Sequence, residues 1–522
     1  MPLSVVGLTV LFAVGVMVLT GKDMDLISNV LPTILMVIGI ADVIHLLTNY
    51  LNRRREEKSR TKALMSSIRE VGFATLLTTV TTMIGFLTLL NSNVQPVIDL
   101  GIYACIGLVI AFGLTYTWFP AILMWHKKIV PPSEKRNRDF WKLQLIGIYR
   151  LVTKRKVEIL VGSAILLGIG IWGTSKIVKN NYILEDLKSD HSQVRDYRFF
   201  EENFAGARPF EMALWIKDTQ RSVFDAEVLA EIGKIDQYLK DEYGVGALVS
   251  PVVLVKNTNK VLHGGKDKYY SVPKNPKKLA RLEKDIVRYQ KQMDLGRYIN
   301  LETGQMRLSG NIPDWGSLLI KGKNDSLDQF MAQEVNLDLL GYRVTGSATL
   351  VDINTQFVSS NVVEGLFLAF VLIGILVGFL FRSVKMALIS LVPNVLPLLL
   401  TGAIMGFAGI DLKLSTSIIF IISFGIAVDD SIHFLSRLRF ELSRPNATLR
   451  WALKKTYLET GKAITITTLI LSGGFLTLCF SDFLGTFYIG ILISLTLFSA
   501  WILDLLLLPA LILVFYPEKK KA

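Results

Sequence analysis

Cysteine is nearly absent from this 522-residue chain, and the two that occur, Cys105 and Cys479, both lie inside apolar runs. They read as small membrane-buried side chains, which excludes a disulfide framework and a cysteine metal site. Histidine is scarce too, five in all, and His126, His191 and His263 stand isolated, with no metal-ligand spacing. Charge is thin: Asp, Glu, Lys and Arg make up 19%, a balance that no soluble globular chain of this length shows. No Gly-rich phosphate loop of the Walker kind occurs, so nothing in the chain points to ATP as an energy source. Ahead of the first apolar run there is no basic leader, and no small-residue cleavage site follows it. Residues 2–20 therefore read as a retained helix and not a signal peptide.

Apolar residues fill 51% of the chain, and the mean hydropathy is +0.44. Runs of spanning length fall at 3–20, 26–51, 71–90, 97–125 and 157–175, then at 362–381, 386–408, 414–435, 463–480 and 487–515. The net charge of +13 is concentrated in the connectors 52–70, 126–156 and 437–462 and in the tail 517–522. The turns 21–25, 91–96 and 481–485 lack it. By the positive-inside rule both termini face the cytoplasm and the interval 176–361 lies outside, and the same clustering argues against nucleic acid as a partner. The chain then divides into a first membrane repeat (1–130), a basic linker (131–156), a span (157–175), an outside domain (176–361), a second repeat (362–516) and a basic tail (517–522). Within the outside domain, alternation predicts strands at 209–216, 247–255, 305–312 and 340–346. Helical spacing predicts helices at 223–243, 279–293 and 326–335. The fold class is a polytopic α-helical membrane protein of about ten spans, in two parallel pseudo-repeats, with one inserted α+β domain. That domain holds no nucleophile with a base nearby in sequence, so the chain does not read as an enzyme.

The two membrane halves are copies. Asp42 and His45 recur as Asp430 and His433, and Gly21 and Asp23 as Gly409 and Asp411, all 388 residues on. Gly72, Thr78, Thr79, Gly85 and Pro120 recur as Gly461, Thr467, Thr468, Gly474 and Pro509, now 389 on. Equal orientation makes this a parallel repeat about an axis near the membrane normal. The richer copy, Gly425-Ile-Ala-Val-Asp-Asp-Ser-Ile-His433, puts two carboxylates in one apolar run, at a cost of roughly 2.5–3.5 kcal/mol each. Adjacent carboxylates in a low dielectric do not both ionise cheaply, which makes Asp42, Asp429 and Asp430 proton-relay candidates. Asp430 shares a helix face with His433, as Asp42 does with His45. Hydroxyls of Thr78, Thr79, Thr467 and Thr468 are placed to complete their hydrogen bonds. Bland readings stand beside these: Asp pairs satisfied between helices, threonines as packing glue, and histidines favoured by the negative end of a helix.

These helices, the Thr-rich stretches 75–88 and 465–477 and the inserted outside domain resemble the resistance–nodulation–division superfamily. The likeness is nearest its MMPL-type branch, which shares a membrane core with sterol-sensing domains. The resemblance implies proton-driven export of lipids or other hydrophobic and amphiphilic compounds across a bacterial inner membrane, with the proton gradient as energy source and no cofactor. It carries the relay onto Asp42, Asp429 and Asp430, with Thr467 or Thr468 as hydroxyl partner. Ala41 stands where the second copy has Asp429, a departure from the pattern, and no lysine lies mid-helix in either copy, which favours a lipid exporter over a drug exporter. Family members have two six-helix repeats, each with its own outside domain. Against that template the chain begins at the third helix, which implies a truncated member. Its expected partners are membrane lipids, a hydrophobic substrate, and a missing N-terminal half or a second copy. The alternatives are a non-transporting lipid sensor or scaffold of the sterol-sensing kind, and an inactive fragment of a split transporter.

Overall fold

A computed structural model describes residues 2–25, 27–57, 59–125, 135–218, 220–288 and 295–516. The basic tail 517–522, His126 and residues 131–134 of the linker lie outside the described residues. Contacts divide the chain into a helical unit, Met1–Lys179 with Phe357–Ala522, and an inserted unit, Asn180–Gln356.

The first repeat begins with α1 (Pro2–Leu19), which carries no charge. Gly21 follows it at φ +67°, and its counterpart Gly409 holds the same φ after the equivalent helix, a conformation that any Cβ would strain. Helix α2 (Leu31–Glu56) starts with Pro32 in its first turn and ends on Arg53, Arg54 and Arg55, where the helix dipole favours cations. Helix α3 (Arg60–Leu87) is capped by Ser59, whose Oγ accepts from the Lys62 N–H at 3.4 Å. Then come α4 (Gln95–Tyr116), α5 (Trp118–Trp125), α6 (Lys135–Lys154) and α7 (Lys156–Thr174). Gly170 and Gly173 let α7 approach Leu399 and Ala403 closely.

The inserted unit holds α8 (Ser192–Asn203), β1 (Arg208–Ile216), α9 (Ala226–Tyr238), β2 (Gly246–Val249), α10 (Pro251–Leu262), α11 (Pro276–Arg288), β3 (Ile299–Asn300), β4 (Gln305–Ile312), α12 (Gly316–Glu334) and β5 (Leu340–Thr345). The strands pair antiparallel in the order β2-β4-β1-β5, with β3 also on β4. Phe210, Met212, Leu214 and Ile216 alternate inward from β1 and pack against Val228, Leu229, Ile232 and Ile235 of α9. The strand expected at 247–255 stops at Val249. Ser250 then caps a helix, its Oγ accepting from the Val253 N–H at 3.1 Å with Pro251 in the first helical position, a start signal the alternation masked. Helix α12 begins ten residues before the expected 326, and α8 was not expected. Arg208, 2% exposed, is held between Asp314 at 2.9 Å and Asp352.

The second repeat follows as α13 (Ser347–Phe381), α14 (Val384–Ala408), α15 (Leu414–Leu442), α16 (Leu449–Leu476) and α17 (Leu484–Phe515). Among the described residues ten helices are long and apolar enough to cross a membrane. The expected connectors are largely helix: 437–442 belongs to α15, 449–462 to α16, 60–70 to α3, and α6 fills most of the linker. Charged helix ends at a membrane surface look like loops to a hydropathy reading. The repeats interlock, α3 packing on α15 and α2 on α16. An added Cβ on Gly85 would lie 3.1 Å from the Gly425 Cα, and one on its counterpart Gly474 would lie 2.6 Å from Val37. The repeats thus touch backbone to backbone at Gly85 and Gly425, while Gly474 leaves room for the Val37 side chain.

Candidate functional site

Three carboxylates meet at the seam between the repeats. Asp429 and Asp430 follow Gly425 on α15, and Asp42 comes from α2. Asp42 is buried, its neighbours Asp429 and Asp430 are partly exposed, and Asp42 lies within electrostatic reach of Asp429. The adjacent acids point to different helices, as the 100° step of an α-helix requires. The Thr468 hydroxyl of α16 lies 2.9 Å from Asp430 Oδ2 and equally close to the Ile464 carbonyl of its own helix. The Thr82 hydroxyl of α3 lies 3.1 Å from Asp429 Oδ1 and from the Gly425 carbonyl, and 2.9 Å from the Thr78 carbonyl of its own helix, so its one proton is shared among the three. Asp430 is therefore held from within its own repeat, and Asp429 from the other.

Of the four expected hydroxyls only Thr468 reaches a carboxylate. Thr467 bonds the carbonyls of Ala463 and Ile464, and Thr78 and Thr79 both bond that of Thr75. Thr82, which the repeat does not mark because its counterpart is Leu471, takes the other place. Asp504 also escaped the sequence reading. It is fully buried on α17, accepts from Ser431 Oγ at 2.5 Å and lies within electrostatic reach of Asp430. A lone acid in the run 487–515 was the signal available. The histidines do not sit at helix ends, since α2 runs on to Glu56 and α15 to Leu442. Instead both are buried and stack on each other, ring centroids 4.0 Å apart and planes 13° apart. The helix-end dipole does not account for them.

One turn beyond His433, Arg437 ties the repeats together. Its guanidinium contacts Glu70 of α3 at 3.1 Å, Glu441 at 2.6 Å and also Glu459 of α16. Arg53 of α2 pairs with the same Glu70, and Asn49 donates to it at 3.2 Å. Glu70 and Glu459 are counterparts 389 apart, but Asn49 stands where the second repeat has Arg437. One arginine thus serves carboxylates of both halves. Among the described residues no cluster of three His, Cys, Asp or Glu suits a metal ion.

A duplicated helical core meeting across carboxylates set in its apolar helices defines a pseudo-symmetric multi-span membrane protein. Residues 1–143 match the model of the sterol-sensing domain of SREBP cleavage-activation, and residues 320–519 match the MMPL family. The N-terminal stretch thus resembles a sterol-sensing domain, and the C-terminal stretch resembles an MMPL protein. It is similar to membrane protein MJ1562 of Methanocaldococcus jannaschii, 29% identical over 136 residues, which is 26% of this chain and 35% of that one. It is also similar to the hopanoid transporter HpnN of Rhodopseudomonas palustris, 26% identical over 169 residues, 32% of this chain and 18% of that one. Among solved structures, the hedgehog release protein Disp of the water bear Hypsibius dujardini aligns at a TM-score of 0.63. It shares 13% identity, over 94% of this chain and 64% of that one. SecDF, a translocon-associated membrane protein of Thermus thermophilus, aligns at 0.56 with 13% identity, over 98% and 58%. At that identity the structural likeness speaks to the fold. The matches span less than two thirds of each of these proteins.

Proposed function

We propose that the chain is a proton-coupled secondary transporter that moves lipids or other hydrophobic and amphiphilic compounds out across an inner membrane. In this reading the basic helix ends and both termini face the cytoplasm, and the proton gradient supplies the energy. The observation that carries it is the split attachment of the acidic pair: Thr468 of the same repeat holds Asp430, and Thr82 of the opposite repeat holds Asp429. A proton added to Asp429 changes the bond that joins α3 to α15, so occupancy of the acids is coupled to how the repeats pack. The MMPL match and the likeness to a hopanoid transporter support a lipid-like substrate. Asp430→Asn, reconstituted in proteoliposomes, is expected to insert and fold normally and to lose proton-driven transport; full transport in that variant ends the relay reading.

The sterol-sensing match of residues 1–143 favours one rival, a lipid sensor without transport. Lipid binding indifferent to pH and to Asp429 and Asp430 would select it.

A further inference from the structure

Ser431, the residue after the acidic pair, opens a second polar group within the second repeat. Its hydroxyl donates to Asp504 Oδ1 of α17 at 2.5 Å and accepts from Asn394 Nδ2 of α14 at 3.0 Å. The Asn394 amide also donates to the Ser390 carbonyl at 2.8 Å. All three side chains are at most 1% exposed, and Asp504 Oδ2 and Asn394 Oδ1 are buried with no hydrogen-bond partner. Buried polar atoms are nearly always bonded, so two orphaned acceptors in one cluster mark a place where a donor arrives.

The sister repeat provides an internal control. The counterparts of Asn394, Ser431 and Asp504 are Val6, Val43 and Thr115, equally buried on α1, α2 and α4. The same helices therefore pack without an amide, a serine or an acid, and with one orphaned hydroxyl, Thr115 Oγ1, in place of two orphaned acceptors. Packing does not account for the second-repeat triplet. Nor does an ion pair: among the described residues no Lys or Arg bonds Asp504. From α15 it meets the charge field of Asp430, and from α16 the Tyr457 phenol donates to the neighbouring Leu505 carbonyl at 2.5 Å. Helices α14 and α7 carry their charges, Lys385, Lys156 and Glu158, in their first turns, and α6 keeps Lys142, Arg150 and Lys154 exposed.

We propose that Asp504, reached through Ser431, is a second proton-holding residue of the relay, a station beside Asp430. The polarity of the chain is set by Asn394, whose Nδ2 only donates; the single Ser431 proton is thereby directed at Asp504. When a proton reaches Ser431 Oγ, the hydroxyl's own proton passes to Asp504 Oδ1. Asp504 ends as a neutral carboxylic acid and Ser431 as an unchanged hydroxyl, with only O–H bonds made and broken. The asymmetry of the repeats then has a purpose: one half holds a single acid, the other a pair with a reserve behind it. This inference rests on the transport reading, but its first readout does not.

The test is infrared difference spectroscopy of the full chain in proteoliposomes, stepped in pH and read at the carboxylic C=O stretch in H2O and D2O. Asp504→Asn and Asp504→Thr, the latter copying Thr115 of the sister repeat, are each expected to lose a titrating band that Asp430→Asn retains. Ser431→Ala is expected to shift that band without removing it. In transport assays Asp504→Thr is expected to move the pH profile. An unchanged set of titrating bands in both Asp504 variants overturns the proposal, as does wild-type transport at every pH. If neither variant folds and Ser431→Ala leaves the band unshifted, the triplet is structural and the proposal also fails. Should Asp430→Asn still transport, the relay reading of the proposed function falls, while the Asp504 band is still read on its own.

Discussion

A single hydroxyl separates two threonines that sequence treats alike. Thr467 and Thr468 are adjacent, and their counterparts Thr78 and Thr79 repeat the pair, yet only Thr468 donates to a carboxylate. Hydrogen bonds to a charged group contribute about 1.5–3 kcal/mol, and each 1.4 kcal/mol is about ten-fold in an equilibrium. Thr468→Ala is therefore expected to slow transport about ten-fold or more, and Thr467→Ala to stay near wild type, in the same proteoliposome assay. Equal losses in the two variants would show that the threonines serve packing. The acids themselves were legible because a charge in an apolar run has few bland explanations. Thr82 was not, because it is one hydroxyl among many on a Thr-rich helix, and only the crossing of α3 over α15 selects it. Asp504 was missed although it is a lone acid among leucines, because the first repeat has no acid at its counterpart Thr115 and its partner Ser431 looks like an ordinary small residue.

Helices meet where side chains permit, and the glycines at the repeat interface set how closely α3 approaches α15. Gly85→Val would push its Cβ into the backbone at Gly425, parting the helices and drawing Thr82 away from Asp429. The expected result is a lower melting temperature by size-exclusion thermostability and loss of transport. Gly113→Ala, with open space around the added carbon, is expected to leave both unchanged. A second tie between the halves runs through Arg437, 11% exposed and shared by three glutamates. Removing one partner from such a cluster leaves charges without compensation, at about 3–5 kcal/mol when fully buried. Arg437→Ala is expected to destabilise by several times the effect of Arg444→Ala, whose side chain is 42% exposed. The spans and the duplication were readable from hydropathy and spacing, since both are one-dimensional patterns. The Arg437 cluster was not, because a charged helix end and a basic loop have the same composition.

The inserted unit has its own pH economy. Burial pushes Asp236 up to about 6, opposed by the Ser250 hydroxyl that donates to it at 2.5 Å. The ordinary value is 3.8, so between about pH 4 and 6 the folded form binds more protons than the unfolded one. Stability therefore falls as pH rises through that window and stays low above it. Asp236→Asn is expected to flatten this slope and to stabilise the unit by about 1–3 kcal/mol at pH 7, read from amide exchange in β1. Arg208 works in the opposite direction. Arg208→Met leaves Asp314 and Asp352 facing each other in the interior, and is expected to speed exchange in the same strand by an amount equivalent to about 3–5 kcal/mol. In the helical unit, the stacked pair His45 and His433 has a geometric consequence. They are counterparts, and a residue touches its own counterpart only where the symmetry axis passes. The axis that relates the halves thus runs between two imidazole rings, and these rings are its fulcrum. Any swing of one half against the other about that line changes spacings at the rim and leaves the centre fixed, while a motion that breaks the symmetry must first unstack the rings.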